Sequence, residues 1–269
     1  MSNAVQKKGK GTREASESSG GVQSVDRAVS VLEILAREGS AGVSDVATEI
    51  GVHKSTAFRL LAALEERDLV EQNTERGKYQ LGFGVLRLAS AIPARLEMVR
   101  QAQPVLDDLA QHLDETINLA VVREHYSVHV QQALGSAAVA SQNWVGQVTP
   151  LHATSSGKIL LAHMSEERLE EVLDTAGLKP YTEHTVTSRE VLLEQLAQAR
   201  VEGFATAFEE LETGLNAAAV PVRDHTGAIV GALSASGPAY RFDKERIEAV
   251  ADDIRTAGTR ISRRMGWLG

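Results

Sequence analysis

The sequence predicts an α+β protein of two domains, and three observations support this fold class. Its 269 residues are too many for one small domain and about right for two. Short amphipathic helices follow one another near the N-terminus and lead into two short strands. Farther along, longer strands alternate with helices, and hairpin turns such as His225-Thr226-Gly227 are typical of an antiparallel sheet.

The composition is that of an ordinary soluble protein, with 43% hydrophobic and 24% charged residues. No apolar run approaches the roughly 18 residues of a membrane span, and no signal-peptide pattern opens the chain, so a cytoplasmic protein is expected. Cysteine is absent, which excludes disulfides and thiolate sites, and the histidines predict no metal site. We therefore expect neither a metal nor a cofactor.

The net charge of -8 is unevenly distributed. Residues 1–82 carry 11 Lys+Arg against 12 Asp+Glu, a net of -1, and residues 83–269 carry 17 against 24, a net of -7. An acidic chain can still bind nucleic acid where its few cations share one surface. Bulk charge therefore neither supports nor excludes a nucleic-acid partner.

The first domain is predicted over residues 22–82, after a polar, Gly/Ser-rich tail at 1–21 that predicts disorder. Helical spacing and alternation predict helices at 24–38, 44–50 and 53–68 and strands at 69–72 and 79–81. A linker helix is expected within residues 83–95, ending near Pro93. Helices joined by a Gly-containing turn and followed by two strands have the order of a winged helix-turn-helix.

The third helix carries an unusually polar N-terminal end. Ala57, Leu60, Leu61 and Leu64 share one face, so the polar residues of the first turns point outward. A recognition helix presents such residues to base edges, and its free N–H groups suit phosphate oxygens. The candidate DNA contacts are His53, Lys54, Ser55, Thr56 and Arg59 on this helix and Arg76 and Lys78 on the wing. The alternatives are a solvated surface helix and a winged helix that contacts protein.

The second domain is predicted over residues 96–267. The patterns predict, in order, a helix at 96–113, strands at 117–123 and 126–133, a helix start at 154–156, helices at 165–174 and 188–201, strands at 204–208, 216–223 and 228–236, and a last helix at 243–265. Its elements fit an antiparallel sheet with helices.

Several segments resemble one family along most of the chain. "GVQSVDRAVSVLEILAREGSAGVSDVATEIGVHKSTAFRLLAALEERDLVEQ", "VTPLHATSSGKILLA" and "EELETGLNAAAVPVRDHTGAIVGALSASGP" are similar to the IclR family of bacterial transcription regulators. The resemblance implies a GAF-like effector-binding domain, operator DNA as partner, and dimers joined through the N-terminal domains, often as tetramers. It also implies a repressor of a catabolic or metabolic operon that responds to a small molecule.

A helix start with small hydroxyl residues, "LHATSSGK", is a natural carboxylate site because its N–H groups are exposed. Ser234 and Ser236 share one face of a strand, although both could simply fill a half-buried position. The resemblance assigns the effector pocket to Ser155, Ser156, Gly157, Ala207, Ala217, Ser234 and Ser236. Where family members that bind small oxo-acids often carry polar groups, this chain has Ala207 and Ala217, so a larger or partly apolar organic acid is expected.

Enzyme motifs are incomplete. Ser155-x-x-Lys158 resembles the nucleophile motif of penicillin-recognising acylases, but the companion Ser-Asp-Asn and Lys-Thr-Gly segments are missing. His152 has no identifiable Ser-x-Gly elbow or carboxylate partner. The sequence therefore predicts a regulator and not an enzyme.

Overall fold

The computed structural model describes residues 23–73, 77–89, 93–136 and 143–269. The predicted tail at 1–21 and the wing residue Arg76 lie outside these ranges. The chain divides into two compact units between residues 91 and 92. No described helix is long and apolar enough to cross a membrane.

The first unit has the predicted order of elements: α1 (Gln23–Glu38), α2 (Val43–Glu49), α3 (Lys54–Glu65), β1 (Val70–Gln72), β2 (Tyr79–Leu81) and α4 (Phe83–Ala89). β1 and β2 pair as an antiparallel hairpin. Val31 and Leu35 of α1, Ala57 and Leu61 of α3, and Tyr79 of β2 belong to one buried cluster. This packing fixes which face of α3 is covered and which remains at the surface.

Two glycines control the connections around α2. Gly51 has φ of +66° between α2 and α3, a backbone conformation that favours glycine, as the predicted Gly turn requires. Gly42 forms the N-cap of α2, and its N–H donates to the Asp45 carboxylate at 3.1 Å. The tight turn holds α2 and α3 in the arrangement of a helix-turn-helix.

The predicted linker helix at 83–95 is not one described helix. α4 ends at Ala89, residues 90–92 are not described, and Pro93 is the first residue of the next helix. Proline lacks a backbone N–H. The N–H of the first residue of a helix has no acceptor within the helix, so a proline at this position loses no hydrogen bond. Pro93 therefore begins a helix where the sequence pattern predicted an end.

The second unit contains α5 (Pro93–Leu113), β3 (Thr116–Arg123), β4 (Tyr126–Ala133), β5 (Val148–Pro150), α6 (Ser155–Ala162), α7 (Glu166–Ala176), α8 (Arg189–Glu202), β6 (Ala205–Phe208), β7 (Leu215–Arg223), β8 (Ile229–Pro238) and α9 (Lys244–Arg264). Its described strands form one antiparallel sheet in the order β5-β4-β3-β8-β7-β6. The antiparallel sheet was predicted, but β5 was not.

The sheet is covered on both faces. Ile117, Leu119 and Leu233 pack with buried residues of α5 and α9, whereas Ala219 and Ala232 pack with residues of α6, α7 and α8. Side chains alternate along a strand, so residues directly paired across strands share a face. Asn118, Ser234 and Ala219 are paired in register and lie on the α6 face. This face carries polar and small side chains at the start of α6.

Candidate functional site

The exposed end of α3 is the first candidate site. His53 is the N-cap residue but makes no side-chain cap, and in the described part of the chain the N–H groups of Lys54 and Ser55 have no acceptor. His53, Lys54, Ser55 and Arg59 are exposed, and Thr56 is half-buried. Free N–H groups at a helix start, with a cation beside them, favour an anion such as a phosphate.

The cations of this surface are available for a partner. Neither Lys54 nor Arg59 makes a hydrogen bond or ion pair with any described residue. Lys78 is also exposed, at the end of the β1–β2 turn, where its carbonyl accepts from the Asn73 N–H at 2.7 Å. Sequence analysis did not select Phe58, whose ring is 53% exposed on α3 next to Arg59. The predicted DNA contacts that the structure describes therefore share the surface of one small module.

A cavity of about 40 Å³ at the start of α6, lined by several buried polar residues, is the second candidate site. Of the seven predicted effector residues, it brings together Ser155, Ser156, Ala217, Ser234 and Ser236. The other lining residues are Asn118, His129, Trp144, Thr154, Leu211 and Leu215. A surface groove of about 390 Å³ shares the lining residues Trp144 and Leu211 with this cavity.

The start of α6 supplies hydrogen-bond donors. The Thr154 side chain caps the helix by accepting from the Gly157 N–H at 3.1 Å. The N–H groups of Ser155 and Ser156 have no acceptor among the described residues. These donors lie at the positive end of the helix dipole, where a carboxylate is stabilised.

Two predicted effector residues do not line the cavity. A Cβ on Gly157 would lie 2.2 Å from the Leu151 carbonyl oxygen, so this glycine allows α6 to approach the Leu151 backbone. Ala207 is paired with Ala217 and shares its face of the sheet, but it lies one strand farther out, on β6. Neither residue is part of the cavity lining in the structure.

Asn118 and His129 are polar lining residues that sequence reasoning missed. Asn118 interrupts the apolar run of residues 117–122, and this was the available signal. His129 is 6% exposed, and burial lowers its pKa to about 4, so the imidazole is neutral at pH 7. Asn118 Oδ1 and His129 Nδ1 have no hydrogen-bond partner in the described structure.

Lys158 does not form a catalytic pair with Ser155. Its ammonium is 2.5 Å from Glu210 Oε1 and 3.2 Å from the Thr206 carbonyl oxygen. Both Lys158 and Glu210 are buried. The ion pair connects α6 to the loop that carries Leu211 over the cavity, which gives Lys158 a structural role.

His152 is hydrogen-bonded to the backbone, and the histidines that the structure describes form no metal site. His152 Nε2 is 3.0 Å from the Lys179 carbonyl oxygen, and burial lowers its pKa. No metal site was expected from the histidines, yet His125 and His129 do have the HxxxH spacing that can bind a metal. Among the described residues, however, no three potential ligands cluster as a metal site.

Comparison with known families matches both units. The family model described as "IclR helix-turn-helix domain" matches residues 24–74, and that described as "Bacterial transcriptional regulator IclR C-terminal" matches residues 91–263. The regulator XynR of Escherichia coli is 30% identical over 247 residues, covering 91% of this chain and 98% of the relative. The repressor AllR of Salmonella typhimurium is 33% identical, covering 91% of each.

Solved structures give the same result. The Thermotoga maritima IclR structure superposes with a TM-score of 0.76 at 29% identity, covering 92% of this chain and all of that one. An IclR homologue of Microbacterium hydrocarbonoxydans, complexed with 4-hydroxybenzoate, has a TM-score of 0.74 at 29% identity, with 90% and 98% coverage. With its helix-turn-helix unit and its effector-binding C-terminal unit, this chain belongs to the IclR family of bacterial transcriptional regulators.

Proposed function

We propose that this regulator represses a catabolic or metabolic operon in the cytoplasm and that a small organic acid, bound at the start of α6, changes its affinity for operator DNA. The observation that carries the effector part is the pair of unbonded N–H groups at the buried residues Ser155 and Ser156, which line one cavity with Ser234 and Ser236. Donors without acceptors at a helix start suit a carboxylate.

The DNA part of the proposal rests on α3 and the wing. Lys54 and Arg59 are exposed cations beside a helix start, and Arg59 has the donors for a bidentate contact with guanine or phosphate. We propose His53, Ser55, Thr56, Lys78 and Arg76 as further contacts. A self-associated dimer, which could pair into a tetramer, would present two such modules to two half-sites.

The comparisons support this reading by analogy. AllR is named a repressor, and the Microbacterium hydrocarbonoxydans homologue was crystallised with an aromatic hydroxy acid. We also propose that the chain senses its ligand without converting it, because Lys158 is bonded to Glu210 and is not available to activate Ser155.

The test of the DNA part is binding of labelled upstream DNA at several salt concentrations. Phosphate-driven binding should weaken steeply with salt. Arg59→Ala should cost about 1–3 kcal/mol of operator affinity if the contact is bidentate, and the fold should survive because the side chain is exposed. Arg67→Ala, an exposed arginine beyond the end of α3, is the matched control. Salt-insensitive or absent binding would instead favour a winged helix that contacts protein.

The effector part is tested by titrating organic acids into the protein–operator complex. Ser234→Ala should cost roughly 0.5–1.5 kcal/mol of effector affinity, or up to about 3 kcal/mol if the bond is charge-assisted. Operator affinity without effector should barely change, because Ser234 lies in the second unit. Ser136→Ala, at an exposed serine of the same unit, is the control. Equal effector midpoints in wild type and Ser234→Ala would place the acid elsewhere.

A further inference from the structure

Phe58 of α3 exposes an apolar ring within the surface that carries the proposed DNA contacts. The residue is 53% exposed, and it is neither a member of the buried cluster of the first unit nor a half-buried residue packed against it. Ala57 and Leu61 occupy the covered face of the helix instead, and both are fully buried. Folding of the described chain therefore gives this ring little of the stabilisation that a buried aromatic side chain contributes.

The helical neighbours of Phe58 are polar. Lys54 lies four residues before it and Ser55 three residues before it, and side chains at these spacings are adjacent on the surface of a helix. Lys54, Ser55 and Arg59 are all exposed. Neither cation makes a hydrogen bond or ion pair with any described residue. The ring therefore lies next to groups that attract phosphate.

This combination favours nucleic acid over protein as the partner. The centre of a protein–protein interface is depleted of charged residues, because a cation buried there without a partner is costly. Duplex DNA supplies phosphates for the cations and, in the groove between the two backbones, base edges for the ring. An exposed aromatic ring beside unpaired cations therefore matches the chemistry of a DNA groove.

One group on the base edges suits a phenyl ring. Phenylalanine has no hydrogen-bond donor or acceptor in its side chain, so it cannot recognise the polar atoms by which the bases differ. Thymine also presents a C5-methyl group in the major groove, and this group is apolar and accessible in an intact duplex. The faces of the bases are stacked on one another, and contact with them would require a base step to be unstacked.

We propose that Phe58 contacts the C5-methyl group of a thymine in the major groove of the operator and thereby selects thymine at one position of each half-site. This proposal rests on the proposed function, because it takes α3 to be the recognition helix. Because the ring is neutral, the contact contributes sequence preference and leaves the salt dependence of binding unaltered.

The experiment removes single methyl groups from the DNA. The upstream fragment bound by the full-length protein is footprinted, and each thymine of the protected region is replaced in turn by deoxyuridine, which lacks only the C5-methyl group. At one thymine per half-site, the replacement should weaken binding of the wild-type protein by about three- to tenfold, because the apolar contact of one methyl group is lost. Thymines elsewhere in the protected region should tolerate the replacement.

Variants assign the methyl effect to the ring. Phe58→Ala should weaken binding to the unmodified operator by a similar factor, and deoxyuridine at the same thymine should then change its affinity by less than about twofold. Its salt dependence should equal that of wild type, because no charge is removed. Lys54→Ala, which removes an exposed cation from the adjacent position, is the matched control: it should lower the salt dependence and keep the full methyl effect.

The outcomes separate this inference from the proposed function. The deoxyuridine series uses wild-type protein, so it tests the contact even if Phe58→Ala is unstable. If no methyl group changes the affinity by more than about twofold, or if the methyl effect survives in Phe58→Ala, the assignment of Phe58 is overturned, while binding of the upstream DNA still supports the proposed function. Absence of binding by the wild-type protein overturns both proposals.

Discussion

At the scale of single residues, the buried imidazole of His129 couples the stability of the second unit to pH. Burial lowers its pKa to about 4 from an ordinary value of 6.5. His129 therefore becomes protonated near pH 6.5 in the unfolded chain but only near pH 4 in the folded protein. The contribution of neutral His129 to the free energy of unfolding is complete above pH 6.5. It is lost as the pH falls from 6.5 to 4, by roughly 3 kcal/mol in total.

The measurement is the free energy of urea unfolding of the second unit from pH 7 to pH 4.5. His129→Phe should be less sensitive to acid than wild type, since the titrating group is gone. Burial also lowers the pKa of His152 and of His163, so part of the acid sensitivity should remain. An unchanged slope in His129→Phe would mean that its ring is not buried as described.

Individual residues also show where sequence reasoning reaches its limit. Ser234 and Ser236 were predicted to share a face because side chains alternate along one strand, and this needs no partner strand. Asn118 and His129 lie on different strands, and a register shift occurs between Leu119 and Ala120 in their pairing. Which polar residues meet in the cavity therefore depends on pairing between strands, which a single sequence does not reveal.

At the scale of elements, long segments with a clear periodicity were predictable. A very short strand and a helix that begins with proline were not. β4 was predicted at its observed bounds because eight residues give a clear pattern. β5 has only three residues, Val148–Pro150, too few for a periodic signal, and only its pairing with β4 defines it. Pro93 was read as a helix end, although the same residue type is favoured at a helix start.

The packing of α6 gives an element-scale prediction. Alanine has the higher helix propensity, by about 1 kcal/mol, so propensity alone predicts that Gly157→Ala stabilises the protein. A Cβ there would lie 2.2 Å from the Leu151 carbonyl oxygen and 2.5 Å from its Cα. Because this obstacle is backbone, we expect a net destabilisation of about 1–3 kcal/mol in thermal or urea unfolding. Effector affinity should also fall as the start of α6 moves, and a more stable variant would contradict the close contact.

At the scale of the whole molecule, the two units have separate interiors. The first buries one cluster around Val31, Leu35 and Leu61, and the second buries clusters on both faces of its sheet. The charge is divided as well, because residues 1–82 carry a net of -1 and residues 83–269 a net of -7. The proposed DNA contacts therefore require local cations on one surface and not a positive overall charge.

Separate interiors predict that the two ligands stabilise different units. An effector at 100 times its dissociation constant should stabilise the second unit by about 2.7 kcal/mol, which corresponds to an increase of roughly 5–10 °C in its unfolding temperature. The unfolding temperature of the first unit should rise far less on adding the acid, and it should rise on adding operator DNA.

Scanning calorimetry with tryptophan fluorescence can follow the second unit, since Trp144 and Trp267 both lie in it. Ser234→Ala at the same acid concentration should show a smaller increase. Equal shifts of both transitions on adding acid would show that the units unfold as one, and an increase confined to the first unit would place the acid outside the cavity at α6.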